Sequence, residues 1–309
     1  SDLAGMGVRK MSAADKAYST LNYAVLTLFS LTALYPFIYF LALSFNDGYD
    51  AMKGGIYFFP RVFTLENYNK AFNNPLILNS FMISVTRTFI VTVSSVLLTA
   101  LLAYGLSRKG LPGRKYIVFF FFFTTLFSGG LIPTFILFRQ LEILNTYWVL
   151  VLPMMYNFFN AIIMKTFFDG IPGSLSESAR IDGASELSVF AKIILPLSMP
   201  VLTTIALFVG VGVWNDWFTG QFFIQNEDLY PAATFLNKMI SEASFQTMTG
   251  SSGGSSIQNM SESQMGLRGV TPEALRMTFV IIITTPIICV YPFLQKYFVK
   301  GVLVGSLKE

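Results

Sequence analysis

The sequence contains no histidine and a single cysteine, Cys289, in 309 residues. The lack of histidine excludes His-based metal sites, catalytic triads and proton relays. A lone cysteine inside an apolar stretch supplies neither a disulfide framework nor a thiolate metal site. We therefore expect no catalytic residue and no metal ligand in this chain.

Charged residues are also scarce, at 12%, whereas hydrophobic residues make up 53% and Phe alone occurs 32 times. The net charge of +4 is too small to indicate nucleic-acid binding. This composition is typical of a membrane protein when the apolar residues occur in runs of about 20, the length that crosses about 30 Å of hydrocarbon.

Six such runs are present, and each is predicted to be a transmembrane helix because a span has to satisfy its own backbone polar groups in lipid. The sequence thus predicts an all-α membrane protein with a polar lead over residues 1–20 and one transmembrane domain over residues 21–309, its core at about 75–300. We expect the first run to be an uncleaved anchor, since it is too long for a signal peptide. The predicted spans cover residues 21–45, 80–107, 116–138, 147–168, 195–217 and 275–297.

Lysine and arginine are concentrated on one side of these spans. If the N-terminus is cytoplasmic, 13 of the 21 Lys and Arg residues fall on the inner side. Positively charged short loops stay in the cytoplasm, so both termini are predicted to be cytoplasmic. The long loop at residues 218–273, with its Gly/Ser-rich stretch at 250–256, is then external. Arg87 is expected to extend to the outer surface, with a role in substrate contact as the alternative.

The segment between spans 4 and 5 is predicted to be a helix, a turn and a second short helix on the inner surface. Ser174 stands three residues before Glu177, which predicts a capping box and a helix start near Leu175. Gly183 permits a turn that a residue with a side chain would resist. Pro196 is tolerated in the first turn of the fifth span.

This segment also resembles the EAA loop of ABC importer permeases. Its pattern is E-A-A, three residues, Gly, nine residues and I-x-L-P, with Ser178 the one departure, and the matching residues are Glu177, Ala179, Gly183, Ile193, Leu195 and Pro196. The resemblance implies a coupling helix that docks in a cleft of a separate ATPase and transmits its closure.

The resemblance implies a role for each residue of this coupling site, which comprises Glu177, Ser178, Ala179, Asp182 and Gly183. Ala179 and Gly183 would allow close approach, and Glu177 and Asp182 would meet basic groups of the ATPase. Glu177 has an alternative, compatible role in which it only completes the helix cap. Three further charged residues are expected to be solvated or near lipid headgroups: Arg180, Glu186 and Lys192.

Two further stretches narrow the resemblance to the carbohydrate-uptake subgroup, and within it to the shorter permease of maltose-type importers. They are W-N-D-W at 214–217 and K-G-V-L-V-G-S-L-K at 300–308. The resemblance implies that Gly301, Gly305 and Lys308 form a second ATPase contact; the alternative is a frayed basic tail at the membrane surface. It implies as partners a sister permease, two ABC ATPase subunits and an extracytoplasmic solute-binding protein.

The chain lacks a phosphate-binding G-x-x-x-x-G-K-[ST] loop, since Gly113-Arg114-Lys115 is followed by Tyr. We therefore expect no cofactor on this chain, with ATP and Mg held by partner subunits.

Polar and aromatic residues inside the spans are candidates for a sugar path, because polar groups in hydrocarbon usually face a cavity or a partner helix. The alternatives are interfacial aromatic belts and interhelical hydrogen bonds. The candidates are Tyr156, Asn157, Asn160, Trp214, Asn215 and Asp216.

Together these features predict the pore-forming permease subunit of an ATP-driven, binding-protein-dependent sugar or oligosaccharide importer in the bacterial inner membrane. An ion-coupled secondary transporter is the alternative, although Asp216 is the only carboxylate in the predicted spans. A membrane enzyme lacks the necessary groups. The external loop is expected to contact the solute-binding protein, or else to be a passive insert.

Overall fold

The computed structural model describes residues 13–108, 110–249 and 270–306. Within these ranges the chain is helical apart from turns, short loops and one isolated bridge between Asn46 and Phe63. The predicted all-α class is therefore confirmed. The α-helices, in chain order, are α1 (Ala13–Ser44), α2 (Gly48–Ala51), α3 (Glu66–Asn73), α4 (Pro75–Ser107), α5 (Arg114–Leu126), α6 (Leu131–Gln140), α7 (Tyr147–Val151), α8 (Phe158–Asp169), α9 (Gly173–Ile181), α10 (Glu186–Val189), α11 (Leu195–Leu197), α12 (Met199–Asn215), α13 (Phe218–Phe223), α14 (Ala232–Thr249) and α15 (Pro272–Ser306).

Three of the described helices are long and apolar enough to cross a membrane unbroken. They are Asp15–Ser44 within α1, the whole of α4, and Pro272–Val290 within α15. These helices coincide with the first, second and sixth predicted spans.

The other three predicted spans are bent helix pairs, not single helices. The bends are 113° between α5 and α6, 41° between Tyr147–Met154 and α8, and 80° between Glu186–Leu197 and α12. If each bent pair crosses once, the described residues contain six spans. The sequence prediction of single helices was wrong here because it counted apolar residues and overlooked the breaks between them.

Each break has a local cause. Between α5 and α6, Gly130 adopts a φ of +84°, which glycine reaches without strain. Before α8, Asn157 is extended and its side chain accepts hydrogen bonds from the backbone N–H groups of Phe159 and Asn160, at 2.9 and 3.3 Å. Before α12, Ser198 ends α11 and Pro200 lies in the first turn of the next helix.

The described residues fall into two compact units. Of the described residues, the first unit comprises 13–69 and 270–281, and its buried apolar residues include Ala42, Leu43 and Ile56. A polar network orders the loop after α1, because the Asn46 side-chain oxygen accepts from the N–H groups of Arg61 and Val62, both at 2.8 Å.

An ion pair completes this network. Arg61 Nε lies 2.8 Å from Asp50 Oδ2, and this hydrogen bond holds the pKa of Asp50 below its ordinary value. The segment that follows α1 is therefore folded on itself.

Of the described residues, the second unit comprises 70–108, 110–249 and 282–306. Helix α4 packs against both α8 and α12. Small residues of α4 such as Ala100 and Ala103 are fully buried in this core, which lets the helix backbones approach closely. The larger members of the same core include Val91, Met164, Phe168, Val189, Phe190, Ile205 and Val209.

The region predicted as a long external loop is helical as far as Thr249. It consists of α13, a short 3-10 helix at Glu227–Leu229 and α14. The N–H of Ala232 donates to Ser84 Oγ at 2.8 Å, and Thr234 Oγ1 donates to the Trp217 carbonyl at 3.0 Å. We refer to residues 218–249, which the sequence predicts to be external, as the outer hairpin; the Gly/Ser-rich stretch at 250–256 lies outside the described residues.

Candidate coupling segment and membrane path

The predicted turn at Gly183 is confirmed. Gly183 has a φ of +85°, its N–H donates to the Arg180 carbonyl at 3.0 Å, and the Ala184 N–H donates to the Ala179 carbonyl at 2.9 Å. This pair of hydrogen bonds is the Schellman arrangement that ends a helix at a left-handed glycine. Ala179 and Ala184 both pack against the core of the second unit. The spacing of Ala179 and Gly183 thus fixes the direction in which the chain leaves α9.

The predicted capping box is wrong. Helix α9 begins at Gly173, two residues before the expected start, and its N-cap is Pro172, which has no side chain able to cap. Ser174 therefore lies inside the helix. Glu177 is exposed and makes no side-chain hydrogen bond within the described part of the chain. The cap alternative for Glu177 falls with the box, and its carboxylate faces solvent.

The coupling segment, residues 173–189, exposes apolar as well as charged groups. Ile181 is 86% exposed and Leu187 is 74% exposed, one on each side of the Gly183 turn. Ser178, one turn before Ile181, and Asp182, directly after it, are exposed as well. Exposed apolar side chains beside charged ones are the composition expected of a surface that a partner protein covers.

Sequence reasoning missed the contacts of Glu186 and Arg180, which were expected to be solvated or near lipid headgroups. Glu186 Oε1 lies 2.7 Å from Arg180 Nε, and Glu186 Oε2 lies 2.9 Å from Arg108 Nη2. The Tyr104 hydroxyl also donates to Glu186 Oε2, at 2.8 Å. Partial burial lowers the pKa of Arg108, although the Glu186 carboxylate opposes that shift. The available signal in the sequence was the pair of opposite charges, Arg180 and Glu186, on either side of the predicted Gly183 turn.

The predicted tail contact is only partly described. Gly301 and Gly305 lie in α15, which continues to Ser306. Lys308 lies outside the described residues. The proposed contact of this tail with an ATPase stays a prediction.

The polar candidates of the fourth span surround its break. Asn157 caps α8, Asn160 is buried one turn further on, and the Tyr156 ring lies 5.8 Å from the Phe121 ring. The Asn157 side-chain oxygen is therefore already used by backbone N–H groups. A sugar contact at these positions stays a prediction.

The candidates at the end of α12 also have partners within the chain. Trp214 is buried, and its indole N–H donates to the Ile283 carbonyl at 3.1 Å. The Asn215 amide donates to the Val211 carbonyl at 2.8 Å. Asp216 Oδ1 accepts from the Thr219 N–H at 3.2 Å, so this carboxylate caps the start of α13.

The expectation for Arg87 was wrong. Arg87 is fully buried, and its guanidinium pairs with the Asp216 carboxylate. Its Nε donates to the Leu150 carbonyl at 2.9 Å, and its Nη2 lies 3.0 Å from Met154 Sδ. A buried charge is stable only with a close partner and further hydrogen bonds, and Arg87 has both. It therefore ties α4 to the break in the fourth span and to the end of α12.

A cavity of about 490 Å³ lies beside Trp214, between α4, α12 and α15. Its lining is apolar except for a few hydroxyl groups, such as those of Thr88 and Thr92. Both of these hydroxyl oxygens are buried without a hydrogen-bond partner in the described part of the chain. A sugar has hydroxyls on every edge, so this cavity suits an apolar occupant better.

The fold and these sites define a class of protein: a helical, multi-span membrane protein. Between its fourth and fifth apolar segments it carries two short surface helices joined by a tight turn. The family model described as "Binding-protein-dependent transport system inner membrane component" matches residues 113–304. The chain belongs to this family. It is therefore an inner-membrane transport component and not an enzyme.

Curated relatives agree with this assignment over nearly the whole chain. The chain is 40% identical to the "Polygalacturonan/rhamnogalacturonan transport system permease protein YtcP" of Bacillus subtilis (strain 168), covering 95% of this chain and 99% of that protein. It is 28% identical to the "Maltodextrin transport system permease protein MdxG" of the same organism, covering 93% and 95%.

A solved structure is also similar. It is a bacterial ABC transporter involved in the import of the acidic polysaccharide alginate, with a TM-score of 0.84 and 28% identity. The match covers 93% of this chain and 99% of that one.

Proposed function

We propose that this chain is the pore-forming permease subunit of an ATP-driven importer for sugars or oligosaccharides. The observation that carries the proposal is the coupling segment, where a Schellman turn at Gly183 presents Glu177, Ile181 and Leu187 to solvent. An ATPase would dock on this face and move it when it closes on ATP. ATP and Mg then belong to the ATPase subunits.

The membrane orientation follows from the same proposal. Both termini and the coupling segment lie in the cytoplasm, and the outer hairpin lies outside, where a solute-binding protein delivers substrate. The distribution of Lys and Arg supports this orientation. A sister permease completes the pore, and each of the three bent helix pairs counts as one span, for six in total.

The names of the relatives support a carbohydrate substrate. Polygalacturonan, rhamnogalacturonan and maltodextrin are named for curated relatives, and alginate for the similar solved structure. These substrates are all sugar polymers, but they differ in charge. One scaffold therefore serves several sugars, and the fold does not assign one of them to this chain.

Reconstitution tests the proposal. The chain, its candidate sister permease and its ATPase are placed in proteoliposomes, with loaded solute-binding protein and labelled oligosaccharide on the side of the outer hairpin. We expect uptake that requires both ATP and the binding protein. Uptake that persists without ATP and responds to an imposed ion gradient would instead favour the secondary transporter.

A further inference from the structure

Glu186 holds two separate elements with its two carboxylate oxygens. Oε1 faces Arg180 of α9, which lies on the far side of the Gly183 turn. Oε2 faces Tyr104 and Arg108, at the end of α4. One side chain thus braces the coupling segment internally and also fastens it to a membrane helix.

Tyr104 strengthens this connection through its ring. The ring centre lies 4.9 Å from that of the Phe190 ring, and the Arg108 guanidinium lies over the Tyr104 ring, 4.1 Å from its centre. Phe190 is buried directly after α10. The end of α4 therefore contacts the coupling segment in three ways: through an ion pair, a hydroxyl hydrogen bond and an aromatic contact.

Helix α4 can carry a displacement away from this point. It runs unbroken over Pro75–Ser107. At 1.5 Å per residue, Tyr104 lies about 25 Å along the helix from Arg87, the residue that holds the break in the fourth span and the end of α12. Rigid secondary-structure elements are among the features that carry coupling between distant sites, and an unbroken helix is such an element.

We propose that Glu186 is a positioning residue that transmits movement of the coupling segment to α4. The proposal rests on the proposed docking of an ATPase on residues 173–189. Glu186 is more than half exposed, and exposed ion pairs contribute little to stability. What Glu186 contributes is therefore the relative position of the coupling segment and α4. A neutral residue of the same size lacks the ion pairs that hold this position.

Substitutions on both sides of the link test the proposal. Glu186→Gln removes the charge from the coupling segment, and Arg108→Met removes it from α4. In proteoliposomes, we expect sugar transported per ATP hydrolysed to fall about three- to tenfold in each variant. Arg108→Met, which lies outside the docking segment, should bind the ATPase and hydrolyse ATP as the wild type does. The double variant should be no worse than either single one, since both break the same contact.

A matched control comes from Lys192, an exposed cation close by in the chain that forms no ion pair within the described ranges. Lys192→Met should keep the wild-type ratio of transport to hydrolysis. Wild-type ratios in both Glu186→Gln and Arg108→Met, or additive losses in the double variant, would overturn the proposal. Loss of ATPase binding in Glu186→Gln, with a normal ratio in Arg108→Met, would also overturn it by showing a purely docking role.

Failure of the underlying docking gives a different result. If the ATPase does not dock on this segment, ATPase binding stays intact in Gly183→Leu and in Glu186→Gln. If docking is correct and only the transmission role of Glu186 is wrong, Gly183→Leu alone impairs transport.

Discussion

At the scale of single residues, we expect substitutions in the buried pair of Arg87 and Asp216 to lower the stability of the fold the most. Arg87 has no solvent exposure, so its charge depends on Asp216 and on the Leu150 carbonyl. Removing one partner leaves the other charge buried and uncompensated, which typically costs about 3–5 kcal/mol. Replacing both partners by neutral groups often restores much of that loss.

We therefore expect Asp216→Asn to destabilise the protein strongly, although Asn keeps an oxygen that accepts from the Thr219 N–H. Arg87→Met should be destabilising as well, and the double variant should be more stable than either single one. Thermal unfolding in detergent, followed by size-exclusion fluorescence, measures this order. A double variant as unstable as the sum of the single ones would show that the two residues act independently.

At Gly183, the backbone conformation restricts which side chains the position can carry. Its φ of +85° strains any residue with a branched or bulky side chain, yet no atom lies within 4 Å of the position where a Cβ would stand. Backbone strain and steric clash are therefore separable here. Asn tolerates the left-handed region much better than Leu does.

We expect Gly183→Leu to insert normally into the membrane but to lose stimulation of the ATPase by loaded binding protein. Gly183→Asn, its matched control, should retain most of the stimulation. ATP hydrolysis in proteoliposomes is the readout. Equal stimulation in the Leu variant and the wild type would show that the turn does not set the docking geometry.

At the scale of elements, the sequence predicted helices well where apolar residues run unbroken, and less well where single residues interrupt them. The unbroken apolar runs of α1, α4 and α15 were sufficient to locate those helices. The bends at Gly130, Asn157 and Ser198 were not predicted, because each depends on a local backbone geometry that hydropathy averages out. The Gly183 turn was predicted, since glycine has an identifiable conformational reason to be there.

The long-range contacts were beyond sequence reasoning for another reason. Arg87 with Asp216 and Tyr104 with Glu186 are pairs 129 and 82 residues apart in the chain. A charged residue in an apolar run has two outcomes, extension to the surface or burial against a partner. Only the packing of α4 decides between them.

The outer hairpin offers an element-scale prediction through Asn145. This residue has a φ of +56°, and its side-chain oxygen accepts from the N–H groups of Gln225 and Asn226 at 2.9 and 2.8 Å. Asn145→Gly keeps the backbone geometry and removes the acceptor, whereas Asn145→Asp keeps both.

We expect the Gly variant to loosen the hairpin after α13 and to weaken the stimulation of ATP hydrolysis by loaded binding protein about two- to fivefold. The Asp variant should remain close to the wild type. Titration of loaded binding protein against ATPase activity gives the comparison. If the Gly variant responds like the wild type, the hairpin's attachment to Asn145 has no part in binding-protein recognition.

At the scale of the whole molecule, the chain exposes surfaces that call for partners. In the most apolar stretch of α1, no residue is buried within the described chain. The apolar cavity beside Trp214 is also open to an occupant. The coupling segment adds an exposed Ile181 and Leu187 on a polar stretch. Lipid covers apolar helices in a membrane, but it does not cover a segment outside the membrane.

We therefore expect the chain to be active only in a complex with a sister permease and two ATPase subunits. Blue-native electrophoresis of the co-expressed proteins should show one complex that contains all three kinds of subunit. Gly183→Leu should release the ATPase subunits from this complex and leave the two permeases together, because that substitution alters the coupling segment and none of the spans. A complex of this chain alone that transports sugar would contradict the prediction, since the chain carries no phosphate-binding loop of its own.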